Sequence, residues 1–143
     1  MSWRLKRAVF DKQKGNGNKR AMKKIVSSGE IPGLIGYIDD KPIGWCSVAP
    51  REVFPRLENA RTLKRIDDKP VWSVVCLFIA KPYRRCGVSS LLIKAAVDYA
   101  RRSGATIVEG YPYEPKQQLP DPFVWTGLVS SFKAAGFKEA ARH

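Results

Sequence analysis

The run Val71–Ile79, Val-Trp-Ser-Val-Val-Cys-Leu-Phe-Ile, is the most apolar stretch of the chain. A near-continuous apolar run of this length suits a strand covered on both faces. A basic turn, Ala80–Cys86, follows it, and then a helical pattern over Val88–Arg102. There Val88, Leu91, Leu92, Ala95, Ala96 and Tyr99 recur on one face, with Lys94, Asp98, Arg101 and Arg102 off it. Gly104 stops the helix, and Thr106–Gly110 reads as a second buried strand. Strand, helix and strand in that order are long enough for a right-handed crossover with parallel strands. The fold class is therefore α/β or α+β, with a mixed central sheet flanked by helices.

The rest of the chain fits around that unit. Residues 11–18, Asp-Lys-Gln-Lys-Gly-Asn-Gly-Asn, have the composition of a mobile loop. Ala21, Met22, Ile25 and Val26 recur at helical spacing between Asn18 and Ser27, and Gly29 is placed to end that helix. Gly33–Ile38 and Pro42–Val48 are short apolar runs joined through Asp39-Asp40-Lys41, the pattern of a hairpin with a tight acidic turn. Residues 50–70 carry Pro50, Pro55 and Pro70 and read mainly as a loop, with room for a short helix near Glu52–Leu57. Pro112, Pro115, Pro120 and Pro122 make residues 111–122 an irregular loop. Trp125–Ala135 reads as a last helix stopped by Gly136, with Phe137 onward as a further strand. The 143 residues suit one domain, 1–143, with a real core.

Composition narrows the chemistry. The one histidine, His143, is the last residue of the sequence, which argues against a histidine triad or a His/Cys zinc site. No metal is expected. Cys46, Cys76 and Cys86 show no C-x-x-C spacing, and the first two sit in apolar runs as small hydrophobes. No run approaches the roughly 20 apolar residues of a membrane span, and the N-terminus lacks a secretory apolar run. A cytoplasmic location without membrane attachment is expected. The net charge is +13, and residues 1–24 hold nine Lys/Arg against Asp11 alone. Such a field attracts polyanions, whether nucleic acid or a phosphorylated cofactor, and it is equally compatible with a solvated basic face.

The informative segment is Leu77–Leu92, in which a buried strand feeds a basic turn and then a helix whose first turn holds Gly87, Ser89 and Ser90. The first N–H groups of a helix lack intrahelical partners and carry the positive end of its dipole. Gly87 permits close backbone approach, and Arg84 and Arg85 add charge, so the segment reads as a phosphate cradle. It is neither a P-loop nor a dinucleotide fingerprint, since both glycine patterns are absent. A capped helix with surface arginines is the plainer alternative.

Arg84-Arg85-Cys86-Gly87-Val88-Ser89, with Tyr83 before it and Leu91-Leu92 behind, resembles the acetyl-CoA signature (Q/R)-x-x-G-x-(G/A) of the GNAT superfamily of N-acetyltransferases. Ser89 departs from the usual Gly or Ala. The order of elements from about residue 18 to 137 is similar to that superfamily, as is the ending Ala134-Ala135-Gly136-Phe137. The resemblance implies acetyl-CoA as co-substrate, with its pyrophosphate on the amides from Arg85 through Cys86, Gly87, Val88 and Ser89 to Ser90, and Arg84 among the cofactor-binding residues. Leu77, Phe78 and Ile79 would pair with the pantetheine arm where the central strand splays, and the Ile79 N–H would polarise the thioester carbonyl. An amine would attack directly in a ternary complex. Glu109, on the strand after the helix, is the best single candidate for the base, with structural pairing to an arginine as the alternative. Glu52, Glu114 and Asp121 are weaker candidates, and Trp45, Arg51, Tyr111, Tyr113 and Trp125 could line the acceptor site.

Two departures from the superfamily pattern stand out. Its usual tyrosine general acid is replaced by Phe132, so Ser130, Ser131, Tyr113 or solvent would have to supply that proton. Few residues follow Phe137, whereas the superfamily usually ends in a long hairpin; a truncated hairpin or completion of the sheet by a homodimer partner is expected. An acyl-CoA-binding sensor and a basic nucleic-acid-binding module remain the alternatives to a small-molecule or protein N-acetyltransferase.

Overall fold

Four strands form one sheet in the order β1-β2-β3-β4, with β1–β2 and β2–β3 antiparallel and β3–β4 parallel. The structure, a computed structural model, describes residues 1–115 and 125–142. The elements in chain order are α1 Arg7–Lys12, α2 Asn16–Ser27, β1 Gly33–Ile38, β2 Lys41–Pro50, α3 Pro55–Glu58, β3 Trp72–Ile79, α4 Val88–Arg102, β4 Val108–Gly110 and α5 Val129–Ala134. Short 3-10 turns at Arg51–Val53 and Lys81–Tyr83 lead out of β2 and β3.

The hairpin β1–β2 closes on Asp39 and Asp40, with φ of 45° and 63°. Aspartate tolerates the left-handed region better than most residues, and two such positions match the twist of the flanking strands. In the β2–β3 pairing the register passes from Ser47↔Cys76 to Val48↔Val74, so Val75 is an extra residue on β3. Such a bulge breaks the alternation of faces. As a result Val75 and Cys76 both pack with Ala49, Phe54 and Leu57 on one face of the sheet. Val74 and Leu77 pack on the other face with α4, through Leu92, Ile93, Ala96 and Ala100.

The buried stripe of α4 is therefore rotated from the pattern read off the sequence. Leu91 is 65% exposed, whereas Ile93 is fully buried. The positions facing the sheet are 92, 96 and 100 with 93 beside them, one helical step from the 88–91–95 row. The N-terminal segment departs further. Trp3–Val9 forms no strand, since turns lead into α1, and residues 11–18 are largely helical, with α2 beginning at Asn16. A run of lysines and arginines on short helices places its charge in solvent, and α2 buries only Asn18. Thr106–Gly110 shortens to β4, the last helix shortens to α5, and residues 137–142 form no strand.

Phe132 of α5 is 2% exposed and stacks edge-on against Phe137 at 5.0 Å between centroids. Its ring lies over Gly110 at the end of β4, where an added Cβ would sit 2.0 Å from Phe132 Cε1. Gly110→Ala should therefore displace the ring and destabilise the domain by about 1–3 kcal/mol, as overpacking does. Chemical denaturation of the two proteins measures it, and an unchanged midpoint would count against this packing.

Candidate functional site

At the end of β3 the Ala80 N–H is given to Ile43 in β2 (2.8 Å), and Tyr83 closes the 3-10 turn by donating to the Ala80 carbonyl (2.9 Å). Arg84 Nε donates to the Ile79 carbonyl at 2.8 Å, which pins the basic turn to the strand that feeds it. Arg85 then takes φ 59° and Gly87 φ 78°, both left-handed, and Gly87 is the N-cap of α4. No side chain caps this helix. Leu91, donating to the Gly87 carbonyl at 3.2 Å, is the first residue of the helix ladder. The amides of Val88, Ser89 and Ser90 precede that first bond, so they are the helix's unpartnered donors. A Cβ built on Gly87 would meet nothing within 4 Å, so the mouth of the turn is open. Open amides at a helix start, flanked by two arginines, fit a pyrophosphate.

Beside this turn the sheet opens. Strands β3 and β4 pair only over Trp72↔Val108, Ser73↔Glu109 and Val74↔Gly110. Beyond Val74 the far edge of β3 has no β4 partner. The Leu77 N–H is taken up there by the Trp125 carbonyl at 2.7 Å. Strand alternation places the Ile79 N–H on this same edge, because the next amide, Ala80, points to β2. Of the three residues expected to meet the pantetheine arm, Ile79 offers an amide to the gap, Leu77 has already spent its own, and Phe78 presents a side chain 55% exposed.

Glu109 does not stand alone. Its Oε1 accepts from Arg51 Nη1 at 2.8 Å, from Ser73 Oγ at 2.9 Å and from the Tyr111 hydroxyl. Its Oε2 accepts no hydrogen bond among the described residues, and the side chain is 22% exposed. Arg51 is 1% exposed and all five of its donors are used. Nε binds Glu58 (2.7 Å), Nη1 binds Glu109 and Tyr111, and Nη2 binds the carbonyls of Leu57 (3.4 Å) and Leu63 (2.5 Å). Burial works against the guanidinium charge, but the hydrogen bonds to Glu109 and Glu58 outweigh it and hold Arg51 charged. Burial, then the hydrogen bond to Glu109, pushes the Tyr111 phenol well above its ordinary value, so it stays a neutral donor.

The remaining candidates separate from this centre. Glu52 is held by Arg65 (2.6 Å), and Glu114 pairs with Arg142 on the surface. Asp121 lies outside the described residues. Ser131 Oγ shares a hydrogen bond of 2.9 Å with Ser89 Oγ at the start of α4, so it borders the cradle, while Ser130 is exposed. Tyr113 bridges to Leu128, and Trp125 is exposed beside the Leu77 edge. Trp45 is half-buried on β2 opposite Phe78. Burial raises the thiol of Cys76, and it drives that of Cys46 up to about 12, so neither is a ready nucleophile. No cluster that could hold a metal occurs among the described residues. Nor is any helix there long and apolar enough to cross a membrane. Ser73 and Glu58 escaped the sequence reading, yet Ser73 carried a signal. A hydroxyl inside an apolar strand needs a buried partner.

The comparisons with known proteins follow the same outline. The family model described as the acetyltransferase (GNAT) family matches residues 5–114. No protein of curated function matches in sequence. Among solved structures, AAC(6')-Iy in complex with the bisubstrate analogue CoA-S-monomethyl-acetylneamine is 19% identical with a TM-score of 0.58, covering 99% of this chain and 85% of that one. The apo aminoglycoside 6'-N-acetyltransferase AAC(6')-IG from Acinetobacter haemolyticus is 15% identical at TM-score 0.53, covering 97% and 91%. AAC(6')-Ih from Acinetobacter baumannii is 17% identical at TM-score 0.54, covering 90% and 77%. At such identities the shared property is the fold. The family match spans the whole sheet and the turn that opens α4. The chain belongs to the acetyltransferase (GNAT) family, acyltransferases that use acetyl-coenzyme A.

Proposed function

We propose that residues 1–143 form one domain that transfers the acetyl group of acetyl-CoA to a primary amine by direct attack in a ternary complex. The observation that carries this reading is the pairing of an open set of backbone amides at Gly87–Ser90 with an open edge of β3 ending at Ile79. The amides would take the pyrophosphate, with Arg84, Arg85 and Cys86 forming the approach to the turn. The gap past Val74 would take the pantetheine arm along Leu77, Phe78 and Ile79. The Ile79 N–H would then donate to the thioester oxygen as charge develops on it, a preorganised dipole that needs no rearrangement during reaction.

Glu109 is the proton acceptor in this reading. An ammonium cannot attack, so it first loses a proton to Glu109 Oε2, the oxygen that keeps an accepting site, through intervening solvent, since Glu109 pairs with Ser73 and Ile79 lies about 20 Å further along β3. The neutral nitrogen then bonds to the carbonyl carbon, the C–S bond breaks with its electron pair going to sulfur, and the nitrogen releases its second proton to solvent as the amide forms. Phe132 offers no hydroxyl to that thiolate, so Ser131, beside the start of α4, or solvent supplies its proton. Direct attack is favoured over an acyl-cysteine route, because burial holds the Cys76 thiol protonated. The lack of a hydroxyl at Phe132 also favours a second reading, an acyl-CoA-binding sensor without turnover.

Thiol release from acetyl-CoA across an amine panel that includes aminoglycosides such as neamine separates the two. Turnover supports the enzyme, and binding of coenzyme A without turnover supports the sensor. Gly87→Glu should cost at least about 100-fold in coenzyme A affinity by calorimetry, because its carboxylate would face the pyrophosphate in a left-handed turn. Retained affinity in a folded variant would mean the pyrophosphate sits elsewhere. Glu109→Gln should lower kcat by about 10²–10⁴, with the KM for acetyl-CoA within twofold of the parent. Full activity in that variant would remove Glu109 from the chemistry.

A further inference from the structure

The bonds around Glu109 extend beyond the carboxylate itself, in a chain of alternating charge. Glu109 binds Arg51, Arg51 binds Glu58, Arg65 Nε lies 3.4 Å from the same Glu58 oxygen, and Arg65 binds Glu52. The chain starts at the end of β4 and runs out through the loop of residues 51–65 to solvent. Arg51 also holds the carbonyls of Leu57 and Leu63, which fall on either side of the bend in that loop. One buried guanidinium thus sets the position of the loop and the orientation of Glu109 together.

From this geometry we infer that Arg51 is a positioning residue for acetyl transfer, which orients Glu109 as a one-sided proton acceptor and locks it to the 51–65 loop. The inference rests on the proposed role of Glu109. Three donors converge on Oε1, from Arg51, Ser73 and Tyr111, which fixes the carboxylate plane and leaves Oε2 as the accepting oxygen. The Tyr111 phenol, raised by burial, stays protonated and keeps donating. The other charged groups around the guanidinium, Glu58, Arg65 and Glu52, all lie on the loop it holds. An acceptor bound against that loop is therefore placed relative to Oε2 by the same side chain.

Arg51→Lys keeps the charge but cannot span Glu58, Glu109 and two carbonyls at once. It is expected to lower kcat about 10–100-fold with the best acceptor from the amine panel, leaving coenzyme A affinity by calorimetry within twofold. In a Glu109→Gln background the same substitution should cost less than about threefold, because its effect runs through Glu109. Tyr111→Phe and Ser73→Ala each remove one Oε1 donor without stranding a charge, and they carry the same cycle if Arg51→Lys does not fold. Losses that multiply in the double variants would overturn the inference, as would an unchanged kcat in Arg51→Lys. Transfer by the parent that survives Glu109→Gln overturns the proposed base and this inference together. A parent that releases no thiol with any amine overturns the proposed reaction itself.

Discussion

A guanidinium at 1% exposure ties the 51–65 loop to the end of β4. Moving such a charge out of water costs several kcal/mol unless each of its donors is met. Arg51 meets that requirement with partners from three separate parts of the chain: the loop carbonyls and Glu58, the β4 residue Glu109, and Tyr111 just beyond β4. The loop cannot shift without leaving a buried donor unpaired, and neither can β4. Removing one partner therefore costs more than the net worth of any single bond in the set.

The sheet is arranged around a second constraint, the short pairing of β3 with β4. Three residue pairs are enough to make the crossover parallel and to bury Val74, and then the strands part. The bulge at Val75 lies just past the last of those pairs, so the face pattern changes where the gap begins. Leu77, Phe78 and Ile79 run on paired to β2, while on the far edge the Leu77 N–H meets Trp125 and Ile79 has no β4 partner. The turn at Arg84–Ser90 is bound back to Ile79 through Arg84, which keeps the cradle in register with that open edge.

Much of this was legible in the sequence because it is periodic or carried by backbone. The bounds of β1 and α4 follow from the apolar spacing of Gly33–Ile38 and Val88–Arg102, and the hairpin from Asp39-Asp40. What the sequence did not disclose depends on tertiary partners. Ile93 reads as off-stripe until the angle of α4 against Val74 and Leu77 is known. Arg51 reads as one of several residues that could line an acceptor site, and its burial stays hidden because it depends on Glu109, which lies 58 residues away. Glu109 was visible as a carboxylate beside the gap, and the structure adds its pairing with Arg51.

A pocket made from main-chain N–H groups has a different mutational character from one made from side chains. At Val88, Ser89 and Ser90 the open donors are main-chain amides, the same for all residues except proline, so identity there can drift while the electrostatics persist. Ser89, standing where the superfamily motif has glycine or alanine, is an instance of that freedom. The vulnerability moves to conformation, to the two left-handed residues Arg85 and Gly87 that aim the amides. Anion binding by such amides is thus robust to composition and sensitive to torsion angle. The 51–65 loop, held by charged side chains around Arg51, has the opposite balance, because each of its bonds depends on residue identity.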